Sequence, residues 1–272
     1  MSMSRIRKIV ERGKLEKAKS GKKVDEPLEK RANITANNRT FEYTVTRRVD
    51  VPDKTLWENR LISQNRTDPR STPFQMLRTR TLQQMRKKSW TTLAITAPTP
   101  GAGKSLVSAN LAASIASEGN QSVLLVDMDL RKPSIHGYFG LDPEYGIHDY
   151  LDGSTEVEKI FINPGIERLV VLPGRKGVIN SSEQISTPFV QNFVAELRNR
   201  YQQRLVIFDL PPVLVSDDVM VFLPYVDCSL LVVESGKNTQ KEVENSLAVI
   251  GNNPLLGTVL NKSEKSEKSF IY

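Results

Sequence analysis

The sequence predicts a doubly wound, mostly parallel α/β sheet, and three observations carry that expectation. From about residue 71 onward, strand-like runs alternate with helical ones. The strand runs are almost continuously apolar, as in a sheet covered on both faces. Several of them end in glycine-rich or acidic residues, and ligands of such sheets bind beyond the carboxyl ends of the strands.

The elements follow in chain order. Residues 3–19 carry Ile6, Ile9, Val10 and Leu15 near helical spacing, which predicts a short amphipathic helix. Residues 20–70 mix Asn, Thr, Arg, Asp and Pro with few apolar side chains and read as a linker. A helix is expected over 72–88, with Thr72 as N-cap and Pro73 in its first turn. A strand at 91–97 leads into a helix at 104–116, and the next strand spans 122–129. Residues 168–173 read as a strand, 187–201 as a helix and 204–212 as a strand. The strand at 228–235, the helix at 239–251 and the strand at 255–262 complete the series. The expected division is therefore a basic, partly disordered extension and linker over 1–70, one α/β domain over 71–262, and a flexible tail over 263–272.

Composition narrows the function classes. The chain has 272 residues, enough for one sizeable core plus an extension. Its single cysteine, Cys228, excludes an internal disulfide and a thiolate cage, and its apolar neighbours mark it as a buried thiol. The polar N-terminus lacks a signal-peptide core, and no apolar run approaches the ~20 residues that cross a bilayer. A soluble, cytoplasmic location is the expectation. The net charge of +7 is concentrated in residues 1–32, which hold eleven Lys or Arg against five Asp or Glu. Such a run either solvates the chain or contacts an anionic membrane. No zinc ligand set or interleaved aromatic stripe accompanies it, which argues against nucleic acid.

The chemistry lies at three strand ends. "APTPGAGKS" (97–105) places a glycine-containing loop between a strand and a helix. Such a loop aims several amides at one phosphate, at the positive end of the helix dipole. Pro100, Gly101, Ala102, Gly103, Lys104, Ser105 and Leu106 form the candidate cradle. Lys104 would neutralise phosphate charge and the Ser105 hydroxyl would bind Mg²⁺. The usual G-x-x-x-x-G-K-[ST] pattern has glycine where this chain has Pro98. "LLVDMDLRKP" places Asp127 and Asp129 at the next strand end, a pair that suits a hard cation. "LVIFDLPP" places Asp209 after four apolar residues, a costly position unless the carboxylate meets a cation.

Together these three motifs resemble the Walker A, A′ and B segments of bacterial tyrosine kinases of capsule and exopolysaccharide production. That family lies within the deviant P-loop ATPases that include partition and septum-placement proteins. The resemblance covers roughly residues 71–262 and accommodates Pro98, because the family's loop commonly begins Ser- or Ala-Pro. It implies a sheet of P-loop NTPase type and an ATP- and Mg²⁺-dependent protein tyrosine autokinase. Lys104 and the loop amides would hold ATP, with Ser105, Asp127 and Asp209 at the metal. Asp127 and Asp129 would activate the attacking tyrosine hydroxyl, and Asn261 in "GTVLNK" would read adenine. It further implies a membrane-embedded polysaccharide chain-length regulator as activating partner, a homo-oligomer, and a place at the inner face of the plasma membrane.

Three positions depart from the family pattern. The terminal tyrosine cluster is represented here by Tyr272, the candidate phosphoacceptor. The E-x-x-R-x-x-R assembly helix is matched by Thr72, Gln75 and Arg78, so only its last residue is kept. Ala102 stands where the loop often has glutamate. The partition branch carries a lysine where this chain has Thr99, which favours the kinase branch. Tyr138, Tyr145, Tyr150, Tyr201 and Tyr225 are read as structural. Two other functions stay open: a partition-type ATPase switch on a membrane or DNA scaffold, and a nucleotide-binding scaffold without catalysis.

Overall fold

The computed structural model describes residues 46–63, 68–118, 121–199 and 204–263. The helix expected at 3–19, Tyr201 and Tyr272 lie outside the described residues. The strands are β1 (Arg47–Arg48), β2 (Thr92–Thr96), β3 (Ser122–Asp127), β4 (Ile162–Asn163), β5 (Leu169–Leu172), β6 (Arg204–Asp209), β7 (Cys228–Glu234) and β8 (Leu255–Asn261). The helices are α1 (Asp53–Glu58), α2 (Thr72–Lys88), α3 (Lys104–Ala116), α4 (Ile135–Tyr138), α5 (Ile147–Leu151), α6 (Ser181–Ile185), α7 (Pro188–Asn199), α8 (Asp218–Phe222) and α9 (Gln240–Ile250).

The strands form one sheet in the order β1-β4-β5-β3-β6-β2-β7-β8. Every pairing is parallel except that of β4 with β5. β6 inserts between β2 and β3, so three strands distant in sequence end side by side.

Both faces of the central strands are buried, which explains their unbroken apolar sequence. Val123, Leu125, Leu205, Ile207, Leu93 and Ile95 join the core shared with α3. The alternating residues, Leu124, Val126, Val206 and Phe208, are also buried. Phe208 meets Phe222 of α8 with ring centroids 4.9 Å apart, edge-on. α3 is covered nearly all round, because its Ala and Ser residues let neighbouring layers approach closely.

Two expectations at the N-terminal side need correction. Residues 46–63, read from sequence as linker, belong to the folded domain. β1 pairs with β4, and Leu56 and Leu61 enter the core. Asn110, buried within α3, stitches this segment down. Its Oδ1 accepts from the amides of Ile62 at 2.9 Å and Ser63 at 3.1 Å, and its Nδ2 donates to Arg60 O at 3.0 Å. Polar composition concealed the segment because one helix-borne amide satisfies its backbone. The residue preceding α2 is Ser71, not Thr72, and Asp68 opens the turn before it by accepting from the Arg70 amide. By contrast, α9 starts where expected: Thr239 and Glu242 form a capping box.

Leu56→Ala is expected to lower stability by about 3 kcal/mol, the usual cost of emptying a buried leucine site. A urea midpoint unchanged from wild type would return the segment to linker status.

Candidate active site

The β2–α3 loop turns on Gly101 (φ +86°) and Gly103 (φ +92°), backbone angles that side-chain-bearing residues rarely adopt. Gly103 is the N-cap of α3 and offers no side-chain cap to the first helical amides, the arrangement in which a helix N-terminus can take an anion. Pro98 lies upstream of this stretch. Its carbonyl accepts from Leu214 N at 3.3 Å, and that of Ala97 accepts from Val213 N at 2.8 Å. Pro98 is thus tied to the connection between β6 and α8 rather than to the glycine turn.

The sheet register assembles the acids. Asp127 and Asp209 are partners on adjacent strands β3 and β6. Lys104, the first residue of α3, places its ammonium 2.8 Å from Asp129 Oδ2 and 3.2 Å from Asp209 Oδ2. Ser105 Oγ donates to Asp209 Oδ2 at 2.5 Å, and Ser108 Oγ donates to Asp209 Oδ1 at 2.8 Å. Asp127 Oδ2 accepts from the amides of Ser134 and Ile135, both at 2.9 Å. Its Oδ1 is buried without a partner among the described residues.

Burial and the facing charge of Asp209 push Asp127 up to about 7. Burial also raises Asp209, against the lowering effect of Lys104 and the two serine hydroxyls. For Lys104, burial alone would lower the pKa, but Asp209 and Asp129 outweigh it and hold the ammonium above its ordinary value. The site is short of positive charge. An unpartnered oxygen on Asp127, a second strand-end carboxylate and a serine hydroxyl form a hard-oxygen donor set of the kind Mg²⁺ takes while keeping waters and phosphate oxygens. The residues fit that ion.

Above the acids lies a cavity of about 460 Å³, with Gly101, Gly103, Lys104, Ser105 and Asp129 in its lining. Asp127 is not in that lining, so the two acids of the D-x-D pair have different environments. Asn261, at the end of β8, donates from Nδ2 to Ala102 O at 2.8 Å and so holds the loop itself. Leu106 accepts from Asn110 Nδ2 at 3.0 Å. Arg78 reaches Glu118 at 3.4 Å and Ser114 O at 3.3 Å.

Sequence reasoning missed two supports. Ser108, one turn after Lys104, is a hydroxyl aligned with Ser105 at i,i+3 spacing, a signal open to a helical reading. Arg131 fixes the cavity wall: it donates to Ser181 Oγ at 2.9 Å and to Asp217 Oδ1 at 2.9 Å, and lies 3.3 Å from the fully buried Asp218. The D-x-D-x-R run displays Arg131, but its partners lie far away in sequence.

The fold and this site define a P-loop nucleotide-binding α/β domain. The CobQ/CobB/MinD/ParA nucleotide-binding domain family matches residues 93–271. YwqD of Bacillus subtilis, a tyrosine-protein kinase, is 32% identical over 177 residues, covering 64% of this chain and 73% of its own length. The solved kinase domain of Escherichia coli tyrosine kinase ETK shares 32% identity with a TM-score of 0.69, over 78% of this chain and 84% of that one. EpsB of Ralstonia solanacearum is 32% identical over 212 residues, 75% of this chain, yet the chain spans only 27% of that relative's length. The chain belongs to the bacterial tyrosine kinases within the CobQ/CobB/MinD/ParA nucleotide-binding family. Among the described residues, no helix is long and apolar enough to cross a membrane.

Proposed function

We propose that this chain is an ATP- and Mg²⁺-dependent protein tyrosine kinase that phosphorylates tyrosine on copies of itself during exopolysaccharide or capsule production. The observation that carries this reading is the meeting of Lys104, Ser105 and three strand-end carboxylates beneath one phosphate-type loop. The kinase names of YwqD and ETK support the same reaction class.

The roles divide by environment. The N–H groups of residues 101–106 would face the phosphates, while Pro100, which has no N–H, lines the cavity. Lys104 balances charge on the β and γ phosphates. Ser105, Asp127 and Asp209 would hold Mg²⁺, which supplies charge neutralisation on the same oxygens. Asp129 lines the cavity and would accept the phenol proton. The tyrosine oxygen bonds to the γ-phosphorus as the bond to the β–γ bridging oxygen breaks, and ADP leaves. Asn261 would approach adenine, and Tyr272 is the candidate acceptor. The partner would be a membrane-embedded chain-length regulator, which would hold a homo-oligomer at the inner membrane face. Residues 1–32 would contribute contact with anionic lipid.

Full-length chain incubated with ATP and Mg²⁺ is expected to gain phosphotyrosine, and mass spectrometry would locate it. ATP hydrolysis with no phosphotyrosine, even with the membrane partner present, would sink the kinase reading and leave an ATPase.

A further inference from the structure

The phosphate-binding loop is gripped from outside as well as lined from within. When successive amides of such a loop turn inward to an anion, their carbonyls turn outward and need donors of their own. Two consecutive residues at the end of β8 supply them. Asn261 Nδ2 donates to Ala102 O at 2.8 Å, and Lys262 Nζ donates to Gly101 O at 2.7 Å.

Lys262 is aimed rather than loose. Its ammonium is also 3.0 Å from Glu234 Oε1, at the end of the neighbouring strand β7. Glu234 takes Lys237 at 3.4 Å on its other oxygen. The Glu234 amide donates to Asn238 Oδ1 at 2.8 Å, and Asn238 Nδ2 donates to Thr99 Oγ1 at 2.8 Å. The ends of β7 and β8 are tied together by Ser235 N to Asn261 O at 2.9 Å. Lys262 has φ +57°, an unusual angle for lysine, which persists only where surrounding contacts over-determine it. Loop positions 99, 101 and 102 are thus all held from one edge of the sheet.

We propose that Lys262, anchored on Glu234, is a positioning residue that fixes the outward carbonyls of the phosphate-binding loop and thereby sets its affinity for nucleotide phosphates. The proposal rests on the loop's binding a nucleotide and is independent of transfer to tyrosine. Glu234 gives it a distinctive sign. If nearby charge alone mattered, removing this carboxylate would strengthen phosphate binding; if anchoring matters, removing it weakens binding.

The test is calorimetric titration of the full chain with Mg-ADP and, separately, with Mg-tripolyphosphate, which has no base. Lys262→Met is expected to weaken both ligands about tenfold, the loss of one charge-assisted hydrogen bond. Lys262→Arg should stay within about threefold of wild type, and Glu234→Ala should weaken both ligands about threefold. Nucleotide-free melting of Lys262→Met should move by no more than about 2 °C, because the Lys262 side chain is about half exposed. Unchanged affinity in Lys262→Met, a loss confined to Mg-ADP, or tighter binding in Glu234→Ala would each overturn the proposal. Wild-type chain that binds neither ligand would overturn the nucleotide-site reading, and this proposal with it.

Discussion

Replacing Lys104 with methionine is expected to abolish measurable phosphoryl transfer and to lower the stability of the nucleotide-free chain by about 3 kcal/mol. Methionine keeps most of the apolar stem, so the change isolates the charge. The Lys104 side chain is 12% exposed and touches two carboxylates that are nearly or wholly buried. Removing one partner of such a group leaves the others desolvated and uncompensated, a penalty of about 3–5 kcal/mol. The lower end applies because Asp127, already raised to about 7, can take up a proton and relieve part of the repulsion. Activity should fall at least about 10³-fold, since transfer depends on charge stabilisation rather than covalent help. Phosphotyrosine formation, assayed well below the melting temperature, separates this loss from unfolding. Urea denaturation without nucleotide reads the stability term. A variant as stable and active as wild type would remove Lys104 from the centre of the site.

The outcome for Lys104 bears on what the sequence could convey. β2, β3 and β6 were legible because burial on both faces demands continuous apolar runs. Their ends displayed Lys104, Asp127, Asp129 and Asp209, and the parallel register brought those four together. β1 and β4 were illegible, being two residues each and defined only by pairing with strands elsewhere. Likewise α1 stands in a polar stretch, and Leu56 acquires meaning only from the core beneath it. The sequence also placed Asp127 and Asp129 in one role. Both are buried, but their contacts divide them: Asp129 lines the cavity and meets Lys104, while Asp127 accepts from the amides of Ser134 and Ile135. The supports of the site stayed hidden for a related reason. Glu234, Asn238 and Lys262 are ordinary surface residue types, and Lys262 meets Gly101 from 161 positions away. Motif reading finds groups that meet the ligand and misses those that hold the groups.

The same division predicts what a single methyl group does at the loop. Gly103→Ala is expected to weaken Mg-ADP binding by at least about 100-fold, for two separable reasons. The first is conformational. At φ +92° an alanine is strained, by about 1–2 kcal/mol, and relieving that strain rotates the amides away from the phosphates. The second is spatial. A Cβ at Gly103 would lie 2.2 Å from Asn261 Nδ2, so either Asn261 releases Ala102 O or the loop moves off the helix end. Ala102, next door, already carries its Cβ buried in the core without conflict, so a small side chain is not excluded from the loop as such. The double variant Gly103→Ala, Asn261→Ala removes the collision and keeps the strain. Measured against Asn261→Ala alone, which has already lost the Ala102 O contact, adding Gly103→Ala should cost about tenfold less affinity than it does in the wild-type chain. A Gly103→Ala effect that vanishes in the Asn261→Ala background would assign it to the collision, and one unchanged there would assign it to backbone conformation. Wild-type affinity in the single variant would mean that the loop does not hold phosphate through the amides that Gly101 and Gly103 present.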